Sequence, residues 1–157
     1  AVTRRRLLDI NPNADVVAIE QFHLPDSPVA IGDDVNFVLE AVDTVAAKLL
    51  IIETCVRQGI PVISCMGMGN RLDPTLIKLG DIFDTNNCAM SRVMRKELRK
   101  RNITALRCVY STEEARIVSQ ALPAKGGSRP APGSVAYVPS VAGLYMAYDV
   151  VNTLTHL

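Results

Sequence analysis

The chain has 157 residues, 48% of them apolar, and its 17 Lys and Arg nearly cancel its 16 Asp and Glu to leave a net charge of +1. That length is one domain with a substantial core, and the balanced charge excludes a whole-chain field of the kind that marks nucleic-acid binders or acidic tails, so any basic partner site must be local. No apolar run approaches the ~20 residues needed to cross a bilayer and no apolar region follows the Arg-rich start, so a soluble, cytoplasmic protein without a membrane partner is expected.

Residues 4–8 read as the end of a helix that stops at Asn11-Pro12-Asn13, because proline disfavours helix in the residue before it. The opening in mid-helix, with three consecutive arginines and no cap, suggests a start inside a larger domain. Residues 15–22, with Val16, Val17 and Ile19, predict a strand, and residues 35–42 a second one whose apolar run suits burial on both faces, as in a parallel sheet. Residues 44–58 predict a helix with Val45, Leu49, Ile52 and Val56 on one stripe, ended by Gly59 and Pro61. A third strand at 61–65 completes a βαβ unit and predicts parallel neighbours. Gly67 and Gly69 then mark a bend where backbone can approach a ligand or another chain.

Short strands at 70–72 and 76–83 flank the turn Asp73-Pro74-Thr75, which makes the sheet mixed. A helix over 89–101, strands over 105–110 and 134–138, and a final helix over 141–154 complete the prediction. Between them, residues 123–133 hold six Gly or Pro in 11 positions, a composition that predicts a mobile loop.

The chemistry-bearing residues are few. Cys55, Cys65, Cys88 and Cys108 form no C-x-x-C pair and only His23 and His156 could join them, so no zinc site is expected. Cys88, in a polar stretch, is the one cysteine to test as a nucleophile, although no histidine lies near it in sequence. At Glu40-Ala41-Val42-Asp43 a buried strand ends in two acids three residues apart and a helix follows at once, the place where open α/β sheets bind ligands. Asp43 there either caps the helix or reaches a metal ion. Lys48, five residues on, faces either a phosphate or solvent. The helix with Arg92, Arg95, Lys96, Arg99 and Lys100 on one arc is amphipathic, and its basic face either meets a polyanion or is merely solvated. Glu97 and Arg101, four apart, are placed to pair. No G-x-G-x-x-G, G-x-x-x-x-G-K-[ST] or H-E-x-x-H occurs.

Several blocks, in this order, carry a family resemblance: Asp9-Ile10-Asn11-Pro12; Val38-Leu39-Glu40-Ala41-Val42-Asp43 with Lys48; Gly67-Met68-Gly69-Asn70-Arg71-Leu72-Asp73-Pro74-Thr75; Arg92-Val93-Met94-Arg95-Lys96-Glu97-Leu98-Arg99; and Val109-Tyr110-Ser111-Thr112-Glu113. Together they resemble the ubiquitin-activating-enzyme-like, or ThiF/MoeB/HesA, superfamily over nearly the whole chain, with the branch of tRNA threonylcarbamoyladenosine dehydratases the most similar. The resemblance implies a Rossmann-like mixed α/β sheet, mostly parallel in its first part with antiparallel strands later, that activates a carboxylate as its acyl-adenylate with ATP and Mg²⁺. By position it implies Asp43 as the acid contacting Mg-ATP, with Glu40 where the family usually has Asp, Lys48 beside them and the basic helix as a tRNA contact. It also implies a homodimer.

The glycine-rich phosphate loop of that superfamily is not in these residues, so the chain resembles the C-terminal part of such an enzyme, inactive alone. Cys88-Ala89 stands where the family usually has Asp-Pro. Missing C-x-x-C pairs favour the tRNA branch over sulfur transfer. Adenylation of a ubiquitin-like or sulfur-carrier protein, with a sulfur donor or carrier as partner, and a non-catalytic scaffold or pairing module are the rival expectations.

Overall fold

The computed structural model describes residues 2–26, 29–116 and 132–156. The predicted loop at 123–133 lies outside the described residues except for Pro132 and Gly133. The chain divides into two compact units, residues 1–30 and 31–157.

In the first unit, helix α1 (Val2–Ile10) ends where the Asn-Pro-Asn sequence was expected to end it. Arg4 Nε donates to the Val16 carbonyl at 2.9 Å. Residues 15–22 are not a strand, which corrects the sequence reading: Val17 and Ile19 remain 78% and 58% exposed. Their pattern suits a strand, but a lone β-prone segment without a sheet to join gains too little to hold that state.

The second unit holds a four-stranded sheet of order β1-β2-β4-β3, built from β1 (Val38–Glu40), β2 (Val62–Cys65), β3 (Ile77–Asp81) and β4 (Arg107–Ser111). β1 with β2 and β2 with β4 are parallel, and β3 with β4 is antiparallel, the mixed Rossmann-like sheet that the sequence predicts. Helix α2 (Val45–Gln58) forms the crossover between β1 and β2 and stops at Gly59, whose φ of 69° is one that a side chain would resist.

Alternation along the strands sorts the core into two faces. Cys108 and Tyr110 of β4 pack with Leu49 and Ile52 of α2 and with Met94 and Leu98 of helix α3 (Ala89–Lys100). Val109 of β4 and Ile63 of β2 pack on the other face with Val138, Ala142 and Met146 of helix α4 (Tyr137–Thr155). Arg107 ties β4 to α4 through Asp149, donating from Nε at 2.8 Å and from Nη2 at 2.6 Å.

Three local predictions differ. Residues 134–138 are no strand, and α4 begins at Tyr137, earlier than expected. Pro139 falls in its first turn, where the missing N–H has no intrahelical acceptor to lose. Residues 70–72 are no strand, because Asn70 sits at φ 58° and breaks the extended chain. The expected 76–83 strand is shortened to β3 by single 3₁₀ turns at Pro74–Leu76 and Ile82–Asp84, each opened by an aspartate, Asp73 or Asp81, accepting from a backbone N–H two residues on.

Two blocks of the resemblance do structural work in this region. Arg71, 3% exposed, gives its guanidinium to the carbonyls of Gly67, Asn87 and Glu113, while the Glu113 carboxylate accepts from the N–H groups of Leu72 and Asp73 at 3.0 Å. Gly69 leaves room for the Pro132 ring, whose Cβ would stand 2.7 Å from a side chain at that position. Among the described residues no helix is long and apolar enough to cross a membrane.

Candidate functional site

The carboxyl ends of β1 and β2 open on a pocket of about 250 Å³, closed on its other sides by the start of α3 and the first half of α4. Ala41, Val42 and Asp43 supply one wall from the β1–α2 turn. Residues 65–68, which leave β2 through the predicted glycine bend, supply a second with Gly67, and Met90, Pro139, Gly143 and Met146 complete the lining. Open α/β sheets bind ligands at this edge because strand ends, helix starts and connecting loops all converge there.

Asp43 lies at the lip of the pocket and is exposed. It is not the helix cap: Thr44 holds the cap position of α2, and neither side chain bonds the first-turn N–H groups. Among the described residues the sole hydrogen bond to the Asp43 carboxylate is a long one, 3.4 Å, from the Thr44 hydroxyl. Its oxygens are therefore available. Mg²⁺ commonly takes one or two carboxylates and fills its remaining positions with water and phosphate oxygens, so a single free acid beside an uncapped helix start fits Mg²⁺ on a polyphosphate. Among the described residues no three His, Cys, Asp or Glu side chains converge into an all-protein metal cage.

Glu40 and Lys48 occupy a different place from the one the sequence suggested. Both are fully buried side chains, and Lys48 Nζ donates to Glu40 Oε2 at 2.6 Å. Register explains the pairing: Glu40 of β1 stands beside Ser64 of β2, which stands beside Cys108 of β4, so all three point to the face that α2 covers. On that helix Lys48, Ile52 and Cys55 form the stripe toward the sheet. The Ser64 hydroxyl also donates to Glu40 Oε2, Lys48 Nζ reaches the Cys65 carbonyl at 2.8 Å, and Glu40 Oε1 accepts from the Val42 N–H at 2.7 Å. Lys48 thus faces neither solvent nor a phosphate, and Glu40 has no free oxygen for an ion. The pair instead clamps the two turns that carry Asp43 and Cys65, and it acts on the pocket through them.

Cys65 lines the pocket as a neutral thiol, since burial pushes its pKa up to about 11 against the opposing pull of Lys48. Cys88, the candidate nucleophile, is 5% exposed and caps α3, its sulfur accepting from the Ser91 N–H at 3.4 Å. Burial raises its pKa, but the Ser91 hydroxyl and N–H, the Arg71 guanidinium and the Gly67 backbone outweigh that and hold it below the ordinary thiol value.

On α3 the expected basic face is thinner than its sequence. Arg95 turns inward, its Nη1 donating to the Thr85 carbonyl at 2.9 Å and to the Thr85 hydroxyl, which corrects its place on the outer arc. Lys100 is paired with Glu97 at 2.7 Å, and Arg101 joins Glu97 and Glu53. The i, i+4 pair of Glu97 and Arg101 forms as expected. Arg99 is exposed and places its guanidinium 5.0 Å over the Phe83 ring. Arg92 and Lys96 are exposed. The sequence reading assigned none of the four methionines or Gly143 of the pocket to a site, because isolated apolar residues on three separate segments give no local signal.

Comparison with known proteins adds the family. The profile of the ThiF family matches residues 1–157. The chain is 32% identical over 161 residues to the tRNA threonylcarbamoyladenosine dehydratase of Bacillus subtilis (strain 168), covering 96% of this chain and 63% of that protein. In structure it is similar to the E. coli tRNA N6-threonylcarbamoyladenosine dehydratase crystallised with AMP, at a TM-score of 0.76 and 22% identity, over 99% of this chain and 65% of that one. The ATP complex of that E. coli protein gives a TM-score of 0.72 at 23% identity, over 99% and 64%. These two likenesses show the fold. The chain spans under two thirds of the length of each of these relatives.

Proposed function

The chain belongs to the ThiF family, and from that premise we propose that it serves an ATP-dependent adenylating enzyme whose acceptor is the carboxylate of threonylcarbamoyladenosine in tRNA. The observation that carries this reading is the free Asp43 carboxylate at the lip of a pocket on the carboxyl edge of the sheet.

In the reaction proposed, a carboxylate oxygen of the acceptor attacks the α-phosphorus of ATP and pyrophosphate leaves. A nucleophile of the same nucleoside then closes a ring on the acyl carbon and displaces AMP, so that the nucleoside has lost the elements of water. Bound Mg²⁺ would neutralise phosphate charge during the first step. Asp43 is the residue of this chain that would hold it, and the Glu40–Lys48 pair keeps the Asp43 turn in place before ligand arrives. In this proposal the phosphates are cradled by polypeptide outside these 157 residues, so the chain alone turns nothing over. Self-association as a homodimer and a cytoplasmic location belong to the same proposal; light scattering reads the first.

The reading is tested by incubating the protein that carries this chain with Mg-ATP and offering tRNA bearing threonylcarbamoyladenosine, a sulfur-carrier protein or a ubiquitin-like protein. Pyrophosphate release with the tRNA alone is the expected result. Release with a carrier protein instead, or a stable oligomer that binds no nucleotide, would replace it with one of the rival functions.

The tRNA contact is proposed on Arg92, Lys96 and Arg99 of α3, with Lys100 shared with Glu97. Changing Arg92 and Lys96 together to glutamate should weaken tRNA binding and lower the slope of log affinity against log salt by roughly 0.7–0.9 for each phosphate no longer neutralised. Filter binding across a salt series reads the slope; an unchanged slope leaves this face simply solvated.

A further inference from the structure

Helix α3 opens on an uncommon cap. Cys88 holds the N-cap position, where Ser, Thr, Asp and Asn are favoured because a side-chain oxygen accepts from the first-turn N–H groups. Its sulfur accepts from the Ser91 N–H at 3.4 Å, and sulfur is a weak acceptor. The Arg71 guanidinium and the Gly67 backbone also favour negative charge on it.

A second observation says that this cradle suits more than a thiol. The Ser91 side chain is fully buried and its hydroxyl has no hydrogen-bond partner among the described residues, although it is turned to the Cys88 sulfur closely enough to favour a thiolate there. A buried hydroxyl left unpaired is costly, and what it lacks is an acceptor oxygen on the side of that sulfur.

The four thiols also differ in readiness to react. Burial pushes Cys65 up to about 11 and Cys108 up to about 12, and it raises Cys55 as well. Cys88 is held below the ordinary thiol value in spite of its burial, and the thiolate is the form that peroxides oxidise. At 5% exposed it is closed to bulky reagents. Gly67, whose backbone lies against it, lines the pocket of about 250 Å³, so the sulfur is next to space that a molecule as small as hydrogen peroxide can enter.

We propose that Cys88 is an oxidation site, at which a peroxide converts the sulfur to a sulfinate that caps α3 as an aspartate would. The thiolate attacks one oxygen of hydrogen peroxide; an S–O bond forms, the O–O bond breaks and hydroxide leaves, so sulfur loses two electrons and the peroxide gains them. The sulfenic acid, as its anion, attacks a second peroxide in the same way, and the departing hydroxide takes the new proton, leaving sulfinate and water. One sulfinate oxygen accepts from the Ser91 N–H and the other from the Ser91 hydroxyl, and the charge stands at the positive end of α3 beside Arg71. The site is independent of the adenylation reading.

The protein that carries this chain is treated with graded hydrogen peroxide, and its cysteines are mapped by fragment-ion mass spectrometry with dimedone to trap the sulfenic acid. Cys88 is expected to gain two oxygens at peroxide concentrations at least about tenfold below those that oxidise Cys65, because thiolate character outweighs exposure. Cys88→Asp, an oxidant-free stand-in for the sulfinate, is expected to raise the Tm by about 2–4 °C, the worth of a good cap. Ser91→Ala should cost the parent nothing, yet remove at least half of that gain.

The proposal is overturned if Cys65 is oxidised first, if Cys88 emerges as a disulfide with Cys65 or Cys108 in place of a sulfinate, if Cys88→Asp melts no higher than the parent or fails to fold, or if its gain survives Ser91→Ala.

Discussion

Replacing Lys48 by methionine is expected to destabilise the protein by about 3–5 kcal/mol, read as a lower midpoint of urea unfolding at unchanged slope. The hydrocarbon stem of Lys48 is matched well by methionine, so little of this loss comes from packing. It comes from Glu40, which is 1% exposed and would keep two oxygens inside the core with only the Ser64 hydroxyl and the Val42 N–H to satisfy them. An isolated buried carboxylate costs far more than a paired one gains. Adding Glu40→Met to the variant should therefore recover most of the loss, since replacing both members of a buried pair with apolar residues is often neutral or better. A single variant that loses under about 1 kcal/mol would mean that water reaches the pair, and the clamp on the Asp43 turn would go with it.

That pair also shows where the sequence stopped being legible. The βαβ unit, the basic helix, the mixed sheet and the Gly59 stop could be read because each is announced locally, by apolar period, by a run of charge or by a residue that tolerates positive φ. Lys48 could not. Lysine is almost never fully buried unless paired, so an isolated Lys on a helix reads as solvated, and the apolar stripe through Val45, Leu49, Ile52 and Val56 seemed to set the inward face. The true inward face is rotated toward Lys48, leaving Val56 51% exposed. Only the register of β1 against β2, a long-range property, places Glu40 and Ser64 under that lysine.

The same distinction explains two of the three predicted strands that are absent. Residues 15–22 and 134–138 carry β-prone composition, but composition specifies a strand only where a neighbouring strand completes its hydrogen bonds. At 134–138 the competing signal was the helix that follows, and Pro139, which argues against a helix interior, is harmless in its first turn. On α3 the charge run was read correctly as a helix face and incompletely as a surface. Arg95 is spent on Thr85, and Lys100 and Arg101 are spent on Glu97 and Glu53.

Asp43→Asn should separate chemistry from folding. The carboxylate is exposed and its one hydrogen bond among the described residues, from Thr44, is long, so the stability should change by no more than the roughly ±0.5 kcal/mol typical of a surface substitution. Asparagine keeps the size and an acceptor oxygen but carries no charge, and it holds Mg²⁺ on a phosphate poorly. Removing one preorganised electrostatic partner of developing charge commonly lowers turnover by about 10²–10³, and a loss of that size in tRNA-dependent pyrophosphate release is the expected outcome for the protein that carries this chain. Raising Mg²⁺ should restore part of the rate, because the defect lies in holding the ion beside the phosphates. The Lys48 variant gives the complementary result: at temperatures where it remains folded, it keeps the Asp43 charge but loosens the turn beneath it, so it should raise the KM for Mg-ATP more than it lowers kcat. Turnover indifferent to Asp43→Asn would detach this acid from the reaction and leave the pocket as the remaining claim of this edge of the sheet to a ligand.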